Sequence, residues 1–320
     1  MPLLTLHLLS LFGSSSREDV LKQLLNERPS VETIVASLPR YWVIKPERND
    51  THTLVNTRWD LMLLLKTPDG QLPASVRSKT VREYVVCLGI PSKLLAGYEQ
   101  KNRSLLEHAP SVPLTGSLDN FQPSTSSQNL ELSPDLFNFM NDMVRDHDGP
   151  VTMLNLLHFK HDGKSEYYKY GQVSTIFLHG IQENSNINAV QGFIEAGGKR
   201  GGDAKIVGNV VPPPSGRSGS RGDPVREQSS WWNEAAIVHY PSIRHFCDMA
   251  AGEDYQAINR KYRLPVSDYP FSLPHTALSD DGIRLSRTRF CCVQRRSTCL
   301  RSGTKPGCKG RLVVWHLASV

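Results

Sequence analysis

No apolar run in the 320 residues reaches the roughly 18 needed to cross a bilayer. With 39% hydrophobic and 21% charged residues, the composition excludes both a membrane bundle and a disordered tail. Acidic residues are missing altogether from Gly282 to Val320, where nine Lys or Arg stand. The formal +6 therefore belongs to that tail, and residues 1–281 hold 28 basic against 31 acidic residues, a net of −3. That balance gives the globular part no footprint for a phosphate backbone, so nucleic acid is not an expected partner. Cysteine is scarce outside the tail: only Cys87 and Cys247 stand there, each in apolar or helical surroundings that read as inert buried thiols. The tail's Cys291, Cys292, Cys299 and Cys308 lack a paired CxxC, and its one histidine is His316, so neither a zinc site nor a disulfide framework is expected. The N-terminal MPLLTLHLLSLFGSSS has no Lys or Arg before Arg17, unlike a secretory leader, and the expected location is cytoplasmic. No HExxH, HxxxH or GxSxG pattern occurs. GGKRGGDAKIVG has the glycines of a dinucleotide loop but precedes a strand with no helix behind it. No cofactor or metal is expected.

What is present is a repeated alternation of strands and helices. Leu3–Leu11 is a strand-length apolar run, and Ser16 followed by Arg17-Glu18-Asp19 starts a helix carrying Val20, Leu21, Leu24 and Leu25 until Pro29. Tyr41–Ile44, Trp59–Lys66 and Tyr84–Ile90 read as strands, with a short helix from Pro73 to Val81 between the last two. The order β-α-β-β-α-β is that of a ferredoxin-like module, here residues 1–103. Residues 104–133, rich in Ser, Pro and Asn, read as a linker. Ser133-Pro134 then caps a helix to Val144, and the pattern restarts. Val151–Phe159 is a strand, Ser165–Gly171 opens a helix, and Ala204–Val211 and Glu234–Tyr240 are strands around a Pro/Gly/Ser/Arg loop. Pro241-Ser242 caps a helix to about Arg263. The second module, residues 134–276, lacks its closing strand where one is due, and 277–320 reads as an irregular basic, Cys-containing tail. The expected fold class is α+β: two ferredoxin-like modules packed as an intramolecular α/β barrel.

The segment EAAIVHYPSIRHFCDMAAGEDYQAINRKYR (Glu234 to Arg263) resembles the strand-PS-helix-YQ-R signature of a bacterial family of small domains of unknown function, within the dimeric α/β-barrel superfamily. RWDLMLLL, GIPSKLL, PLTGSLDN, AKIVGNVV and YPSIRHFCDM together resemble a fungal group of two-module proteins without an established activity. Residues 173–191 (VSTIFLHGIQENSNINAVQ) interrupt the resemblance. Their 19 codons can begin with GT and end with AG, so they are either a retained intron or a genuine insertion. From Ala277 onward the likeness ends, as a reading-frame error or a real basic appendage would make it.

The resemblance implies little about chemistry, because the superfamily holds cofactor-free monooxygenases, isomerases, cyclases, haem peroxidases and non-catalytic proteins. Alternate strand residues share a face. The expected cavity face groups Asn155, Leu157 and Phe159 with Lys205, Val207 and Asn209, and with Trp231, Asn233, Ile237 and His239. The opposite set, Leu154, Leu156, Ile206, Val210, Val238 and Tyr240, packs the helices. His239 is the candidate acid/base, with Asn155 and Asn209 as polarising groups. Trp231, Asn233, Phe159 and Tyr167 are the candidate substrate contacts. The alternative makes His239 a core histidine and the asparagines ties at strand ends. Asp248, Glu253, Asp254, Arg260, Lys261 and Arg263 read as a solvated, salt-bridged face. Two functions stand side by side: a cofactor-independent enzyme on a small aromatic or polyketide-like molecule, or a non-catalytic small-molecule-binding or stress-related barrel. A misassembled, inactive product is a third. Self-association is left open.

Overall fold

Strands with apolar residues on both faces demand cover on both sides. β1 (Leu3–Leu11) buries Leu4, Leu6 and Leu8 on one face and Leu9 on the other. β3 (Leu61–Lys66) does the same with Met62 and Leu64 against Leu61, Leu63 and Leu65. The structure is a computed structural model. It describes residues 2–46, 50–159, 196–213 and 232–264, with Tyr262 by its backbone, and the backbone alone of 287–294, 297–298 and 314–315.

The fold is α+β, dominated by a seven-stranded antiparallel sheet. With β2 (Glu32–Ile44), β4 (Thr80–Gly89), β5 (Val151–Leu157), β6 (Asp203–Val210) and β7 (Glu234–Tyr240), its order is β2-β3-β1-β4-β6-β7-β5. The two halves join by a thin seam, Leu88 opposite Val210 and Gly89 opposite Asn209. The seven-stranded sheet is open by itself, with β2 and β5 at its edges. β8 (Arg287–Gln294) pairs antiparallel with both edges, so the ladder closes only through it. This strand lies inside 277–320 and corrects the reading of that segment as irregular throughout. Its RTRFCCVQ has too little apolar alternation to announce a strand, and two waiting sheet edges supply what the sequence does not. Ser297–Thr298 (β9) and Val314–Trp315 (β10) form a separate two-stranded ladder.

All seven strands send side chains into one interior cluster, among them Leu4, Val35, Met62, Leu88, Leu154, Ile206 and Ile237. Two outer layers cover the other faces. α1 (Arg17–Asn26) and α3 (Ala74–Arg77) lie on the first half, with the short α2 (Thr51–Val55) between them in the chain. α5 (Pro134–Asp146), α6 (Ile243–Ala251) and α7 (Glu253–Ile258) cover β5 and β7. Ser133 caps α5 as its sequence suggests, its Oγ accepting the Leu136 amide at 3.3 Å.

Several boundaries differ from the sequence reading. β2 starts at Glu32, nine residues before Tyr41, and passes through Pro39, which sits at a register shift where a strand tolerates proline. The helix after Ser242 breaks at Gly252, and a π turn, Asn259–Arg263, ends it. α4 (Ser92–His108) was not foreseen and takes the first five residues of the expected linker. The rest of that linker is fastened. Arg263 and Asn259 donate to the Asn129 carbonyl at 2.8 and 2.7 Å, and Gln256 to the Leu130 carbonyl at 3.0 Å.

Candidate functional site

The last residues of β7 carry His239 to the end of the interior face. Opposite residues of antiparallel neighbours share a face, and His239 stands opposite Thr152 on β5 and Asp203 on β6. It is 1% exposed, and its Nδ1 has no hydrogen-bond partner among the described residues. Burial, the nearby Lys205 ammonium and then His245 push its pKa down to about 3. The imidazole is therefore neutral at ordinary pH. It can exchange hydrogen bonds with a ligand, but it is a weak base, which corrects the expectation of an acid/base group titrating near 6.5.

Lys205 owes its place to a β-bulge. Ala204 faces Val238 and Ile206 faces Ile237, so Lys205 is the extra residue with no opposite number on β7. Its amine donates to Asn102 Oδ1 of α4 at 2.9 Å, and the residue is 1% exposed. Burial lowers its pKa to about 7. Asp203 opposes that shift and Lys101 adds to it, these two being paired with each other at 2.7 Å.

α4 sets Leu94, Leu95 and Tyr98 against the interior cluster. Asn102 continues their i, i+4 row, and Leu105 follows one turn on. Ser104, Leu105 and His108 of this helix, with Val112, Gly201, His239 and Pro241, line a recess of about 260 Å³. Gly201 is the residue the turn requires. Its φ is +68°, and an added Cβ would stand 2.5 Å from Pro241 Cγ. The other histidines nearby are engaged. His245 bonds Ser242 Oγ at 2.9 Å and the Val112 carbonyl at 3.0 Å, and His108 Nδ1 bonds the Ser104 carbonyl at 2.7 Å. Among the described residues no group of three or more His, Cys, Asp or Glu is arranged to hold a metal ion.

The expected constellation is divided by the sheet. Asn155 stands opposite Ala236, and Asn209 opposite Glu234, which places both on the helix-covered face, away from His239. The sequence grouping had alternation right within β5 and β7, missed the β6 bulge that parts Lys205 from Val207 and Asn209, and had the phase of β7 wrong: Ile237 and His239 belong with Leu154 and Leu156, and Val238 and Tyr240 with Asn155. Asn233 is a tie. Its Oδ1 accepts the Phe159 amide at 2.6 Å, its amide donates to the Leu157 carbonyl at 2.7 Å, and its carbonyl accepts from Val210 at 2.9 Å. Phe159 lies in the helix-side core. Trp231 and Tyr167 lie outside the described residues. The neighbouring Trp232 fills the interior and donates to Tyr84 Oη at 2.7 Å. Sequence reasoning put Lys205 on the right strand but gave it no role, and it missed α4. The available signal was Asn102, one polar residue in an otherwise apolar helical row.

Two polar assemblies elsewhere fasten the fold. Asp248 and Arg263 are buried, which corrects the solvated face expected there, whereas Glu253 and Arg260 do form an exposed pair at 3.6 Å. Asp248 Oδ2 accepts from Arg200 Nε at 2.9 Å and from the Thr115 amide at 3.0 Å, and Arg200 reaches on to Asp254 and Ser117. Burial raises the Asp248 pKa, but the Thr115 and Arg200 hydrogen bonds outweigh it and hold the carboxyl below its usual range. In the first half His7 links Thr5 Oγ1 at 2.7 Å to Glu83 Oε1 at 2.8 Å, and Thr5 is 2% exposed, so this string ties β1 to β4 beneath the surface. Cys87 and Cys247 are buried and form no disulfide among the described residues. No helix among the described residues is long and apolar enough to cross a membrane.

No family model, curated protein or solved structure matches the chain.

Proposed function

We propose that this chain is a small-molecule-binding protein of the dimeric α/β-barrel kind, with its ligand seated in the recess over His239. Two ferredoxin-like modules account for the strand order: β4-β1-β3-β2 and β8-β5-β7-β6 both run fourth, first, third, second within their half. The resemblance of Glu234 to Arg263 to a barrel-forming family points the same way. The observation that carries the binding reading is the packing of the interior. Leu4, Leu6, Leu8, Leu154, Leu156, Ile206 and Ile237 fill the space where an enzyme of this architecture would keep a polar chamber. A neutral His239, with Asn155 and Asn209 on the other face, supports ligand contact better than base catalysis.

The test is saturation-transfer NMR with a panel of small aromatic and aliphatic fragments, on the intact chain and on Leu105→Trp, which fills the recess. Binding should shift the His239 ring resonances and vanish in the variant. Fragments that bind both proteins equally, or that leave His239 unmoved, defeat this reading.

A further inference from the structure

Lys205 is a nucleophile-bearing side chain that neither the packing nor the recess reading uses. The bulge turns it out of the β6–β7 ladder and toward α4, where Asn102 Oδ1 holds its amine at 2.9 Å. Lys205 does not itself line the recess, but Asn102, which holds its amine, lies one turn before the lining residue Leu105, and the Lys205 charge acts on His239, a second lining residue. Charged or titratable groups reach the amine from three elements: Asp203 on β6, Lys101 on α4 and His239 on β7.

We propose that the Lys205 amine captures a small aldehyde or ketone bound in the His239 recess, forming an imine. This deepens the binding reading and rests on it. The Nζ lone pair attacks the carbonyl carbon, an N–C bond forms, and the carbonyl π pair moves to oxygen. A first proton passes from nitrogen to that oxygen to give the carbinolamine. The remaining N–H proton is then transferred to the hydroxyl as the nitrogen lone pair forms C=N, and the C–O bond breaks to release water. Amine and carbonyl give imine and water, with no change of oxidation state and no further reactant. The four-carbon stem lets the amine exchange its Asn102 bond for the ligand. Desolvation supplies the reactive form: at pH 7 an amine with pKa about 7 is half neutral, whereas an exposed lysine near 10.4 is neutral in about one molecule in 2,500.

The experiment treats the full chain at pH 7 with butanal and cyanoborohydride, which reduces an imine to a stable secondary amine, and maps the alkylated lysines by peptide mass spectrometry. Lys205 should be labelled roughly tenfold faster than the exposed Lys66 and Lys199, although accessibility alone would leave it last. Butan-1-ol, which has no carbonyl, is tested in parallel for reversible binding by saturation transfer. Labelling of Lys205 together with alcohol binding, both lost in Leu105→Trp, supports the proposal. If the alcohol binds in a Leu105-dependent way while Lys205 labels no faster than Lys66, the imine proposal is overturned and the recess reading stands. If neither occurs, both fall. Labelling that persists in Leu105→Trp also overturns the proposal, because the carbonyl then reaches Lys205 by another route.

Discussion

Replacing Lys205 with Met keeps the length of the side chain, deletes the buried amine, and should change how stability depends on pH. In the folded chain the amine has a pKa of about 7, against about 10.4 when unfolded. Below pH 7 both states carry the proton and the burial penalty is present in full. Between about 7 and 10.4 the unfolded chain holds one more proton than the folded one, so stability rises with pH by about 1.4 kcal/mol per unit. From pH 7.5 to 9.5 that amounts to roughly 2.5 kcal/mol, present in the wild type and missing from Lys205→Met. The substitution also strips Asn102 Oδ1 of its donor, which costs about 1–3 kcal/mol. That cost is the same at every pH, so it offsets the two curves without tilting one against the other. His239 is neutral in both proteins throughout this window and does not contribute. The assay is urea denaturation at four pH values between 7.5 and 9.5, read as the difference in unfolding free energy between the two proteins. A difference that stays flat within about 0.5 kcal/mol refutes the assignment of a desolvated amine at the bulge.

The His239 ring should keep its neutral NMR shifts until the pH approaches 3, and in Lys205→Met its pKa should rise, because a neighbouring positive charge has been removed. Asp248→Asn removes one of the two carboxylates that pair with the buried Arg200, Asp254 remaining, and should cost about 1.5–3 kcal/mol by denaturation, while Glu253→Gln, in an exposed pair, should cost less than about 1. Equal losses would show that burial does not set the difference. Gly201→Ala should destabilise by about 1–3 kcal/mol through its positive φ and the clash with Pro241, and should weaken any ligand of the recess; unchanged melting would contradict the tight turn.

The features that local chemistry determines were legible in the sequence. β1 is a leucine-rich run broken only by Thr5, His7 and Ser10 and bounded by a glycine turn, and Ser133-Pro134 starts α5 by its own hydrogen bond. What was not legible depends on residues far apart in the chain. Asp248 looks like one more surface charge of the C-terminal helical segment until Arg200, 48 residues earlier, is brought against it. β8 has no strand signature of its own and exists as a partner for β2 and β5. The candidate site failed on one such point. Alternation sorts the residues of a strand into two sets, but only the register with a neighbour says which set faces inward, and a shift of one residue exchanges them all. Pairing Asn155 with Ala236 rather than Ile237 moved His239 across the sheet from the asparagines and put it beside a bulged lysine. A bulge adds a residue that alternation cannot count, and here that uncounted residue is Lys205, the group with the most chemistry to offer.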